Sequence, residues 1–143
     1  MPTSARSGPE LLVDTSVAVA LSVADHDGRA AARTAVEGCR IGLAGHAAFE
    51  TFSVLTRLPS PTRRTAAAIS RLLTANFPYT RFLGPDACSD LLQRLAPLGI
   101  SGGSVYDALV GATAVQHQVP LVTRDRRALA TYRSLDVGIV LAT

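Results

Sequence analysis

The chain has no lysine and no tryptophan, and only two cysteines in its 143 residues. Each scarcity excludes something. Cys39 and Cys88 are far apart and lack metal-ligand spacing, so two reduced, partly buried thiols are expected rather than a disulfide framework. The histidines His26, His46 and His117 form no His-x-x-x-His pattern, which argues against a zinc site. Aromatics make up 5% of the chain, so base stacking would add little to any grip on nucleic acid. No apolar run is long enough to span a bilayer, and no targeting segment is visible, which makes the cytoplasm the expected setting and a membrane partner unexpected.

What is present is arginine. All 14 basic residues are arginine, and the formal net charge is +3. Guanidinium groups pair bidentately with phosphate, so a polyanion held mainly by electrostatics is within reach. A hydrophobic content of 48% and a charged content of 17% exclude a disordered chain and suit a covered sheet in one domain.

Apolar runs bounded by turn signals predict short strands near 11–13, 40–44, 79–83, 119–123 and 137–141. Helical spacing predicts helices near 15–24, 28–37, 46–58, 62–76, 86–96, 104–118 and 126–132. Strands alternating with helices imply an α/β fold, a parallel sheet of about five strands flanked by helices. Residues 1–10 read as a loose leader and 11–143 as the single domain.

Four carboxylates punctuate this pattern. Asp14 ends the run Leu11-Leu12-Val13, and Asp125 follows Leu121-Val122-Thr123. Glu50 lies inside a helical segment whose buried stripe is expected to be Phe49, Phe52 and Leu55, and Asp107 lies near the start of another. Acids at strand ends converge at one edge of a parallel sheet, where α/β proteins build their sites. Clustered carboxylates repel unless a cation stands between them, and hard oxygen ligands suit Mg²⁺ or Mn²⁺. The expectation is a metal-dependent phosphodiesterase.

Each acid also has a plainer reading. Asp14 and Asp125 could cap the helical runs that follow them. Ser104-Val105-Tyr106-Asp107 matches a capping box, and Glu50 could face solvent beside Ser53 and Arg57. Capping and metal binding are compatible, because the positive end of a helix stabilises an ionised carboxylate. Small residues at Gly111 and Ala114 would let the Asp107 helix approach the sheet closely. Arg124, Arg126 and Arg127, beside the last acid, could position a substrate backbone or be an exposed helix start.

Taken together, Leu11-Leu12-Val13-Asp14-Thr15-Ser16, Ala48-Phe49-Glu50, the alanine-rich helix opening Tyr106-Asp107-Ala108, and Leu121-Val122-Thr123-Arg124-Asp125 resemble the PIN-domain family. Length and acid spacing look like the VapC-type toxin of bacterial toxin–antitoxin pairs. The resemblance implies a three-layer PIN-like fold and a Mg²⁺- or Mn²⁺-dependent endoribonuclease with RNA as substrate. It implies Asp14, Glu50, Asp107 and Asp125 as the acidic site; of these, Asp14 and Asp107, short side chains at element ends, are expected as direct metal ligands, with Glu50 and Asp125 completing the shell directly or through water. Ser16 and Thr123 match hydroxyl positions beside that site. The resemblance further implies a cognate antitoxin and a homodimer. Two other classes remain open from the residues alone. One is a catalytically silent PIN-like binding module. The other is a phospho-receiver-like signalling domain, although receivers use a lysine that this chain lacks.

Overall fold

The computed structural model describes residues 8–143. Its order is β1 (Glu10–Val13), α1 (Thr15–Ser22), α2 (Arg29–Val36), β2 (Arg40–Leu43), α3 (His46–Thr56), α4 (Ala66–Asn76), α5 (Pro85–Arg94) and α6 (Ser104–His117), then β3 (Leu121–Thr123), a 3₁₀ turn (Arg126–Ala128), α7 (Leu129–Ser134) and β4 (Ile139–Leu141). The strands form one parallel sheet in the order β2-β1-β3-β4.

Alternation along the central strands builds two cores. Leu12 and Leu121 face one side, where they pack with Leu91, Ala108, Val110, Ala114 and Tyr132 from α5, α6 and α7. Leu11, Val13 and Val122 face the other, against Val17, Ala18 and Ala20 of α1 and Ala32 of α2. Successive strand side chains point to opposite faces, so the near-continuous apolar runs are what a sheet covered on both sides requires. The result is the expected α/β sandwich of three layers.

Among the described residues there are four strands rather than about five. The expected strand near 79–83 runs beside β2 but pairs only in part. Tyr79 and Arg81 donate their backbone N–H groups to Ile41 and Leu43 carbonyls, and Ala44 bridges Arg81 in parallel. Between them the Leu43 N–H bonds the Thr80 hydroxyl instead of a carbonyl, which interrupts the ladder. Gly42 permits this approach: a Cβ there would lie 2.1 Å from the Tyr79 carbonyl group.

Glu10, the last residue of the expected leader, opens β1, pairs with Arg40 in register and bonds Arg81 at 2.6 Å; residues 1–7 of that leader lie outside the described residues. The helix expected from 62 begins at Ala66, capped by the Thr65 hydroxyl. The last predicted helix splits into the 3₁₀ turn and α7. Both thiols are free, and Cys88 is exposed rather than partly buried.

Candidate metal centre at the carboxyl end of the sheet

Asp14 leaves β1 with extended backbone (φ −88°, ψ 179°) and caps α1. Its carboxylate is only 4% exposed and accepts four hydrogen bonds. Oδ1 receives the Ser16 hydroxyl at 2.5 Å and the Val17 N–H at 3.2 Å. Oδ2 receives the Thr123 hydroxyl and, at 3.0 Å, the Tyr132 phenol. Burial pushes the Asp14 carboxyl up from its ordinary value, and the four donors pull it back only in part.

The two hydroxyls tie Asp14 to the segment carrying Asp125. Ser16 Oγ accepts the Arg124 N–H at 2.9 Å, and Thr123 Oγ1 accepts the Asp125 N–H at 3.0 Å. Asp125 caps the 3₁₀ turn by accepting the Arg127 N–H at 3.0 Å. Both acids are therefore caps, and both stand at the carboxyl end of the sheet.

Glu50 joins them from α3. The Thr15 hydroxyl donates to its Oε2 at 3.1 Å, and His46 Nε2, one turn back, lies 3.1 Å from its Oε1. The His46 ring stacks on Tyr106, which precedes Asp107 in the first turn of α6. Asp107 feels all of this charge. Its carboxyl is raised to about 6, first by burial and then by the charges of Asp125, Glu50 and Asp14, with Arg127 opposing. The four acids thus form one electrostatic cluster.

The stripe expected on α3 is corrected. Ala47, Thr51 and Leu55 are buried, whereas Phe49 is 66% exposed and Phe52 also faces out. The capping box is corrected too: Gly103 occupies the cap position, Ser104 is already helical, and no side chain caps α6. Gly111 is close-packed as expected of a small residue, but its neighbours are Tyr132 and Val137 rather than the sheet.

The arginines divide. The Arg124 guanidinium lies over Gly28, where a Cβ would come within 2.1 Å of its Cζ, and its Nε is buried without a hydrogen-bond partner. Arg127 reaches Asp125 at 3.4 Å, with its side chain otherwise in solvent. Arg126 is exposed.

Sequence reasoning did not pick out three polar residues that the fold brings to this site: Thr15, His46 and Tyr132. Thr15 was visible only as the neighbour of Asp14. His46 stands one helical turn before Glu50, a spacing that puts both on one face. Nothing local signals Tyr132, which sits 118 positions after Asp14.

A cation fits the chemistry of this donor set: hard oxygens, mutually repelling, with the Asp107 carboxyl raised by burial and then by its neighbours' charge. Among the described residues, no three acidic, histidine or cysteine side chains converge into a ready-made cage. Mg²⁺ tolerates that, because it keeps several waters and takes only one or two carboxylates. A cavity of about 560 Å³ lies elsewhere, lined by residues that include Arg29, Arg33, Asn76 and Phe77 and by none of the four acids.

The PIN domain family model matches residues 11–134, which span all four acids. The chain belongs to the PIN-domain family. Its relatives place it in the VapC-type branch. It is 43% identical to Ribonuclease VapC27 of Mycobacterium tuberculosis, over 94% of this chain and 98% of that one. It is 45% identical to Ribonuclease VapC40 of the same species, covering 91% and 97% of the two chains. Among solved structures, PAE2754 from Pyrobaculum aerophilum aligns with a TM-score of 0.56 at 25% identity, covering 94% of this chain and 92% of that one. FitAcB from Neisseria gonorrhoeae aligns with a TM-score of 0.63 at 18% identity, covering 90% and 95%, which speaks for the fold alone. Across this PIN domain no helix among the described residues is long and apolar enough to cross a membrane.

Proposed function

We propose that this PIN domain is a divalent-metal-dependent endoribonuclease, the toxin of a type II toxin–antitoxin pair, acting on RNA in the cytoplasm. The observation that carries the reading is the gathering of Asp14, Glu50 and Asp125 around Asp107, whose carboxyl is raised to about 6 first by its burial and then by their three charges. Such mutual repulsion serves a cation, and the relatives named ribonuclease support RNA as the substrate class.

Asp14 and Asp107 would hold Mg²⁺ or Mn²⁺, with Glu50 and Asp125 completing its surroundings directly or through water. Bound there, the metal supplies an activated water and offsets charge on the phosphoryl and leaving oxygens. The chain's own residues do the rest. Thr123 holds the Asp14 carboxylate, and the Ser16 and Thr123 oxygens secure the turn that carries Asp125. Thr15 and His46 hold Glu50 from either side. Arg126 and Arg127, exposed beside Asp125, are suited to phosphates of the RNA backbone, and Arg124, whose Nε is buried over Gly28, adds its charge to that positive rim.

Two protein partners complete the reading. A homodimer is supported by an apolar face at α3 and the 79–83 segment: Phe49 packs on Phe82 at 6.1 Å between ring centres while both remain more than half exposed. A cognate antitoxin would close the acid cleft. The experiment is direct: the purified protein is incubated with total RNA in Mn²⁺ and in chelator. Discrete cleavage ends only with metal support the enzyme. Absence of cleavage, with RNA or antitoxin still bound, favours a silent binding module.

A further inference from the structure

We infer that Tyr132 is a positioning residue of the acid cluster, clamping Asp14 so that one of its two oxygens faces the cleft. The inference rests on the metal-site reading above. Tyr132 lies on α7 with 1% of its surface exposed, and its phenol donates to Asp14 Oδ2 at 3.0 Å. The ring reaches that position because α6 presents Gly111 to it: a Cβ there would lie 3.0 Å from Tyr132 Cδ1 and from Val137 Cγ2. A glycine inside a helix is unfavourable by roughly 1 kcal/mol against alanine, so its presence here answers to packing.

The four donors to Asp14 are not equivalent. A carboxylate has about four lone-pair directions, and four donors fill them. Three of the bonds, from Val17 N–H, Thr123 and Tyr132, are buried; the one from Ser16 is only partly so. A cation drawn to this cluster must replace a donor. Ser16 can yield, since its oxygen keeps the Arg124 N–H when its proton turns away. Tyr132 is enclosed by the apolar core around Leu121, Leu135 and Val137. Leaving Asp14 would strand its hydroxyl without an acceptor, which a buried polar group does not tolerate. Tyr132 and Thr123 therefore grip Oδ2, and Oδ1 on the Ser16 side is the oxygen open to exchange.

The test compares Mn²⁺ binding to metal-free wild type and Tyr132→Phe by titration calorimetry, with melting curves in chelator recorded alongside. Positioning predicts Mn²⁺ affinity about ten-fold weaker in Tyr132→Phe, the lower end of what loss of a partner behind a metal ligand brings. A purely structural tyrosine would lower the melting temperature and leave Mn²⁺ affinity unchanged, and that result overturns the inference. Gly111→Ala keeps the phenol but displaces its ring. It should weaken Mn²⁺ binding in the same direction, and it decides the matter if Tyr132→Phe does not fold. Wild type that binds no Mn²⁺ at all would overturn the metal-site reading itself, and this inference with it.

Discussion

Thr123 donates its hydroxyl proton to Asp14 and with the same oxygen accepts the backbone N–H of Asp125. One side chain at the end of β3 thereby fixes a carboxylate 109 positions earlier and the entry to the next one. Thr123 is fully buried, so this bridge works in a medium where polar groups must be paired.

Asp107→Asn should stabilise the metal-free protein while abolishing cleavage. The unfolded carboxyl ionises near 3.8 and the folded one at about 6, so across that window the unfolded chain binds fewer protons. Stability therefore falls as pH rises through the window, and at pH 7 the penalty is fully present. Asp107 is partly exposed, so after allowance for solvent screening the gain on neutralising it is on the order of 1 kcal/mol. Melting curves in chelator at pH 7 and pH 5 measure it. The variant should melt higher at pH 7, and the gap should narrow at pH 5.

Divalent metal should stabilise the wild type for the same reason. At about 100 times its dissociation constant, a ligand adds roughly 2.7 kcal/mol, a rise of several degrees for a domain of this size. A melting temperature identical in chelator and in millimolar Mn²⁺ would count against a cation among these acids.

Replacing Arg126 and Arg127 with Gln should weaken RNA binding evenly across sequences and flatten its salt dependence, by about 0.7 in log–log slope for each lost phosphate contact to a single strand. Affinity measured over a salt series in an Asp14→Asn background reads both quantities. An unchanged slope would move the RNA path to other arginines.

Gly42→Ala should destabilise the fold at the β2 edge without touching the acids. The new methyl would meet the Tyr79 and Thr80 backbone at 2.1 to 2.3 Å. Overpacking of this kind costs about 1–3 kcal/mol. Denaturant unfolding gives the number, and Mn²⁺ binding by the folded fraction should be unchanged.

The central sheet and two of the acids were legible because they depend on local pattern. Leu11-Leu12-Val13 and Leu121-Val122-Thr123 are short, turn-bounded runs that suit a strand covered on both faces, and Asp14 and Asp125 follow where those strands end. The segment near 79–83 carried a strand's apolar signal but not its hydrogen-bond ladder, because Thr80 offers Leu43 a hydroxyl in place of a carbonyl. On α3 the two phenylalanines drew the expected stripe outward; the buried face uses the smaller Ala47 and Thr51 with Leu55, while Phe49 packs outward on Phe82. Tyr132 illustrates a different limit. Its role exists only when α7 packs on α6 and carries the phenol to Asp14 at the end of β1, and no spacing in the chain encodes that contact.

The most direct measurement of the account is cleavage-end mapping on total RNA with purified wild type and Asp14→Asn, each in millimolar Mn²⁺ and in chelator. Circular dichroism should first confirm that the variant is folded. The account predicts discrete new RNA ends from the wild type in Mn²⁺ and none in the other three reactions. The same ends from folded Asp14→Asn, or equal cutting by the wild type in chelator, would contradict it.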